Sequence, residues 1–141
     1  SEWVKEHLAG RLILHPRAER ALSKAEYTEV GMVYRVLLIL ANEYRDSRMG
    51  VGTDEAFRDV LAQYGMNFSG SIDKSRAGQE GEAYYVKYPI GSSQRVFLQF
   101  HIVRGNSRED RYCMRIYFFW DDDTNQVVVG WLPSHLSNRI S

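Results

Sequence analysis

Two hydrophobic periods divide the chain. Between Tyr27 and Arg48 apolar residues recur at helical spacing: Val30, Val33, Tyr34, Leu37, Leu38, Ala41 and Tyr44 fall at i, i+3, i+4, i+7, i+8, i+11 and i+14. A stripe of about five turns, with Glu29, Arg35, Asn42, Glu43 and Arg45 largely off it, predicts a long helix with one buried face. Gly50 and Gly52 end it, and Thr53 then stands as the N-cap of a second helix, TDEAFRDVLAQYG. Asp54 and Glu55 suit its first turn, Phe57, Val60, Leu61 and Tyr64 form its apolar face, and Gly65 stops it. Ahead of both lie a short helix or arm bearing Trp3, Val4 and Leu8, and the compact apolar run Arg11 to His15. Pro16 closes that run. A residue before proline is pushed into extended backbone, while proline itself suits the first turn of a helix. The pattern therefore predicts a short strand and then a helix from Pro16 to Ser23 that buries Ala18, Ala21 and Leu22.

From Ala83 the period becomes two. Tyr84 to Tyr88 is one predicted strand, Arg95 to Val103 a second, Tyr112 to Trp120 a third and Gln126 to Trp131 a fourth, with polar turns between them. Regular spacing of this kind reads as an antiparallel meander. Met66 to Glu82, rich in Gly, Ser and charge, reads as the longest loop. The expected architecture is α+β, with two or three helices packed on one face of an antiparallel sheet of about four to five strands. No repeat or linker divides the chain, so residues 1–141 read as a single domain. The sequence does not open with Met, and that domain is either a whole protein or a piece of a longer one.

Charge narrows the function classes. Eighteen basic residues balance eighteen acidic ones, and neither half departs from balance, which argues against non-specific binding dominated by phosphate contacts. The basic residues are fourteen Arg against four Lys, and Arg is the side chain that grips phosphate or carboxylate bidentately. One cysteine, Cys113, excludes an intrachain disulfide and a Cys-based zinc site, and its place in a strand predicts a buried, inert thiol. There is no signal peptide and no long apolar run, so a soluble, cytoplasmic protein without a membrane partner is expected.

No cofactor motif is present: there is no phosphate loop, nucleophile elbow or HExxH zinc pattern, and no cofactor or metal is expected. The run Asp121-Asp122-Asp123 lacks the spacing of a calcium loop and sits where Asp is an ordinary turn former. His101 and His135 are candidates for proton transfer, His135 because it follows the last strand in LPSHL. Arg115 is the most informative charge. It interrupts an otherwise apolar strand, where a cation costs stability unless it is paired or faces a cleft. A face bearing Arg115 and Tyr117 could form a phosphate-binding wall. The alternative is an ion pair between Arg115 and a helix carboxylate such as Glu29, Glu43 or Asp59.

Two segments resemble the RelE/ParE superfamily of toxins from bacterial toxin–antitoxin systems. Leu12-Ile13-Leu14-His15-Pro16-Arg17-Ala18-Glu19-Arg20-Ala21-Leu22 is similar to that family's opening strand and helix start. Arg111-Tyr112-Cys113-Met114-Arg115-Ile116-Tyr117 is similar to its Arg- and Tyr-bearing strand, which a final strand and a His follow. The resemblance implies metal-independent RNA cleavage, with RNA or ribosome-associated RNA as substrate and an antitoxin as protein partner. It assigns phosphate binding to Arg115 and acid–base work to His135, supported by Tyr117. Substrate contacts fall to Arg111, Arg139, Arg104 and His101. The competing expectation is a non-enzymatic module that binds a protein through the aromatic sheet surface.

Overall fold

Pro16 and His15 set the first corner of the molecule. Proline opens α2 (Pro16–Ser23), and the His15 Nδ1 caps it by accepting the Arg17 N–H at 3.1 Å. With Nδ1 used as acceptor, the ring proton belongs on Nε2, which meets the Lys87 carbonyl at 2.9 Å. In the computed structural model residues 2–73, 75, 82–105 and 113–136 are described. Among them α1 (Glu2–Leu8) ends before Gly10, whose φ is +83°, and leads to β1 (Leu12–Leu14).

The long helix forms where the stripe predicts it, in three joined parts: α3 (Val30–Ile39), a π-helical turn (Leu40–Tyr44) and α4 (Arg45–Arg48). Its buried face is broader than the stripe. Val36, Ile39 and Leu40 are buried, while Val30 is 46% exposed. The helix contacts both the sheet and α5 (Asp54–Gln63), and burial against two neighbours widens the apolar arc. Thr53 caps α5 by accepting the Ala56 N–H at 3.0 Å.

The sheet has five strands in the order β1-β7-β6-β5-β2, comprising β2 (Met66–Gly70), β5 (Phe100–Arg104), β6 (Met114–Asp121) and β7 (Gln126–Trp131) with β1. Its pairings are antiparallel except that β1 runs parallel to β7, with Leu12 opposite Val127. Two expectations change here. Residues 66–70, read as the start of a loop, form the edge strand β2. The predicted strand from Arg95 to Val103 breaks at Leu98–Gln99: β4 (Arg95–Phe97) pairs with β3 (Tyr85–Lys87) in a separate two-stranded sheet, and β5 joins the main one.

Helices and sheet enclose one core, which includes Val33, Leu37, Tyr44, Phe57, Leu61, Ile102, Ile116, Phe118, Val127 and Val129. The other sheet face carries a second, smaller core in which Tyr84, Val86 and Leu98 cover Tyr117, Phe119 and Val128. The fold is thus α+β, with helices on one face of the main sheet and the small sheet over part of the other. No helix among the described residues is long and apolar enough to cross a membrane.

Candidate functional site on the open half of the sheet

Strand alternation sends Arg115 and Tyr117 of β6, His101 and Val103 of β5, and Asn67 and Ser69 of β2 to the face away from the helices. The register lines them up. His101 lies between Ser69 and Tyr117, and Val103 between Asn67 and Arg115. The small sheet covers Tyr117 but stops short of this region, where Asn67 and Ser69 are exposed and His101, Val103 and Arg115 are half-buried.

His135 reaches this surface because the chain past β7 stays beside β6. The Arg115 N–H donates to the Pro133 carbonyl at 2.7 Å. The Leu136 N–H donates to the Tyr117 hydroxyl at 3.1 Å, and the Tyr84 hydroxyl donates to the Leu136 carbonyl at 3.1 Å. Trp131 Nε1 ties down the Ser134 carbonyl at 3.0 Å. His135 itself is exposed between these anchors. Tyr117 is 1% exposed, and burial pushes its hydroxyl up to about 12. Its hydroxyl holds the strap that carries His135.

The Arg115 guanidinium donates to the Cys113 sulfur at 2.8 Å and to the Gly105 carbonyl at 3.3 Å. Among the described residues no carboxylate pairs with it; the helix carboxylate Glu29 is bonded instead to Arg104. Arg104 points to the helix side, where it also meets the Tyr27 hydroxyl at 3.0 Å. Arg104 and Arg115 therefore lie on opposite faces of the sheet. Arg111 and Arg139 lie outside the described residues.

His101 Nε2 is 2.9 Å from the Ser69 Oγ, and the ring lies 5.4 Å from that of Tyr117. Its Nδ1 is buried with no hydrogen-bond partner among the described residues. A proton on Nδ1 would bury an unmet donor, so the neutral ring keeps its proton on Nε2 and donates to Ser69. Ser69 is then a hydrogen-bond acceptor and not an activated nucleophile. Burial, then the charges of Arg115 and His135, push the His101 ring down to about 4. The structure thus brings Arg115, His101, Tyr117 and His135 into one neighbourhood. Ser69 is an addition that the sequence pattern did not single out; the alternation of Met66 and Phe68 was its only signal.

Elsewhere the remaining candidates resolve into local structure. Asp121 accepts from the Tyr88 and Thr124 hydroxyls, each at 2.7 Å, and from the Asp123 N–H at 3.0 Å, which makes the acidic run a turn. Burial acts to raise the Asp121 carboxyl, but these bonds outweigh it and hold the group below the ordinary range. Cys113 is a buried free thiol. Tyr117, Phe118 and Phe119 are buried, so most of the aromatic density of β6 is core. In comparison with known proteins, the chain matches no family model, no curated protein and no solved structure.

Proposed function

We propose that the open half of the sheet binds RNA and cleaves it without a metal ion, in the manner of RelE/ParE-like ribonucleases. The supporting observation is the setting of Arg115. It is half-buried on this face, its guanidinium meets the Cys113 sulfur and the Gly105 carbonyl with no carboxylate partner among the described residues, and its backbone holds the strap that carries the exposed His135. A surface of this composition attracts an anion. Its side chains match the needs of phosphodiester cleavage by a neighbouring 2′-hydroxyl: a cation for the phosphorane oxygens, a base and an acid.

In this reading Arg115 holds the scissile phosphate. The 2′-oxygen attacks phosphorus as its proton passes to a base, the bond to the 5′-oxygen breaks, and an acid protonates that leaving oxygen. The products are a 2′,3′-cyclic phosphate and a 5′-hydroxyl. His135, exposed and held on its strap, takes the 2′-hydroxyl proton as the base and, once protonated, returns it to the leaving 5′-oxygen as the acid. His101 remains neutral at pH 7 and orients through Ser69. Tyr117 is a positioning residue.

The test is purified protein incubated with RNA, with expression of the same chain in a bacterial host. Arg115→Ala is expected to lower cleavage by about 10²–10³-fold, and His135→Ala by about 10²–10⁴-fold. Growth arrest should fall with cleavage. If the wild type and both variants leave RNA intact and growth unaffected, the proposal is wrong.

A further inference from the structure

A strand at the edge of a sheet carries backbone N–H and C=O groups that no neighbour pairs, and most such edges in this molecule are closed. At β1 the outward residues Leu12 and Leu14 are buried. At β2 the outward Phe68 carbonyl accepts from Arg58 at 3.2 Å. The small sheet has two edges of its own. The Tyr88 N–H donates to the Gln94 carbonyl and the Leu98 N–H to the Tyr84 carbonyl, so Val86 with Val96 is the hydrogen-bonded pair between them. Tyr85 and Lys87 therefore turn their backbone groups outward on β3, and Arg95 and Phe97 do so on β4. Arg17 closes the β3 edge by donating to the Tyr85 carbonyl at 3.2 Å, and His15 Nε2 meets the Lys87 carbonyl at 2.9 Å.

The β4 edge has no such closure. The backbone N–H and C=O groups of Arg95 and Phe97 have no partner among the described residues. Arg95 is exposed and Phe97 half-buried. Residues 94–97, the whole of this edge, line a cavity of about 630 Å³ together with Ile72, Phe100, Phe119 and Trp120. Strand alternation points Val96 toward the main sheet, as it does Val86, whose side chain rests on Gly130. Arg95 goes to the outer face, where it bonds Glu82 at 2.7 Å and lies over the Tyr85 ring, 4.4 Å from its centroid. Lys87, opposite Arg95, is exposed on that face without an ion-pair partner among the described residues. Glu82 therefore leaves one cation of the outer face unbalanced.

We propose that β4 binds an extended peptide segment of a protein partner, which adds antiparallel to it as a third strand of the small sheet. An extended strand meets both the N–H and the C=O groups of Arg95 and Phe97 in a single register. The two faces set its side chains. The peptide residue opposite Val96 points with it into the cavity and is apolar. The residues on either side of it fall opposite Arg95 and Phe97, on the face of Lys87, and are acidic. A second copy of β4 would instead bring another Arg95 and Lys87 to that face, so charge favours a different chain as the occupant. The segment uses neither Arg115 nor His135, and the proposal does not depend on RNA cleavage.

The test is NMR titration of the full chain with a capped five-residue peptide of alternating valine and glutamate, valine at both ends and at the centre. Saturation is expected at millimolar concentration. In the saturated complex the Arg95 and Phe97 amides should exchange with solvent about tenfold more slowly, while Val96, already paired with Val86, is unchanged. N-methylation of both glutamates removes the donors that face β4 and should weaken binding about tenfold; N-methylation of the central valine, whose N–H faces away, should not. Lysine in place of glutamate should weaken binding about threefold, and Arg95→Glu should reverse that preference. Absence of binding by the glutamate peptide at millimolar concentration overturns the proposal. So does equal binding of the lysine peptide, or unchanged exchange at Arg95 and Phe97. Protection of those two amides before any peptide is added, lost on dilution, would assign the edge to a second copy of the chain and also overturns it.

Discussion

Arg104 and Arg115 carry the same charge on neighbouring strands, and one residue of register separates their fates. Val103 pairs with Arg115 and Arg104 with Met114, so strand alternation turns one guanidinium to the open face and the other to Glu29 on the helix side. An oddly placed arginine is visible in the sequence; its face is known only once the register is. His101 carries the clearest consequence at this scale. Its ring is lowered from 6.5 to about 4 by burial first and then by Arg115 and His135. The folded protein therefore binds fewer protons at this site than the unfolded chain between those values. The contribution of His101 to stability is full above pH 6.5 and is lost as pH falls toward about 4. Urea unfolding at pH 7 and pH 5 should show a smaller loss for His101→Gln, which keeps a polar group beside Ser69 but does not titrate. An equal loss in both proteins would show that His101 is not the titrating group.

At the scale of elements, the two sheets meet at Gly130. A Cβ there would collide with Leu98 and come within 3.0 Å of Val86, so β7 keeps a bare backbone where the small sheet rests on it. Gly130→Ala is expected to destabilise the protein by about 1–3 kcal/mol through overpacking. Combined with Leu98→Ala it should cost less than the sum of the two changes, as a thermodynamic cycle from denaturant midpoints would show. The limits of sequence reading fall in the same region. Val96, Leu98, Phe100 and Ile102 alternate without a break, so nothing in the period marks Leu98–Gln99 as the passage from one sheet to the other. Elements with their own punctuation were fully legible: α2 begins at Pro16, α5 begins after Thr53, and β7 fills the apolar run after the aspartate turn. The edge strand β2 was hidden because Asn67, Ser69 and Gly70, its exposed residues, are also the residues of turns. With β2 unseen, Ser69 could not be placed beside His101.

For the whole molecule, the period of a strand says nothing about its partner, and β1 is the case in point. An antiparallel meander was the simplest arrangement of the patterns, yet β1 lies parallel to β7, with Leu12 opposite Val127. The main core draws on both ends of this pairing and on the helices between them. A chain ending at Asn125 lacks the strand between β1 and β6 and should unfold without a cooperative transition. Circular dichroism and limited proteolysis beside the full chain would check this, and a protease-resistant truncated chain would contradict it. The same pairing fixes an order in time. On a ribosome adding about 5–20 residues per second, β1 is made before β7 and then waits while residues 15–125 are synthesised. The first strand of the sheet to be born is held unpaired until the last one emerges.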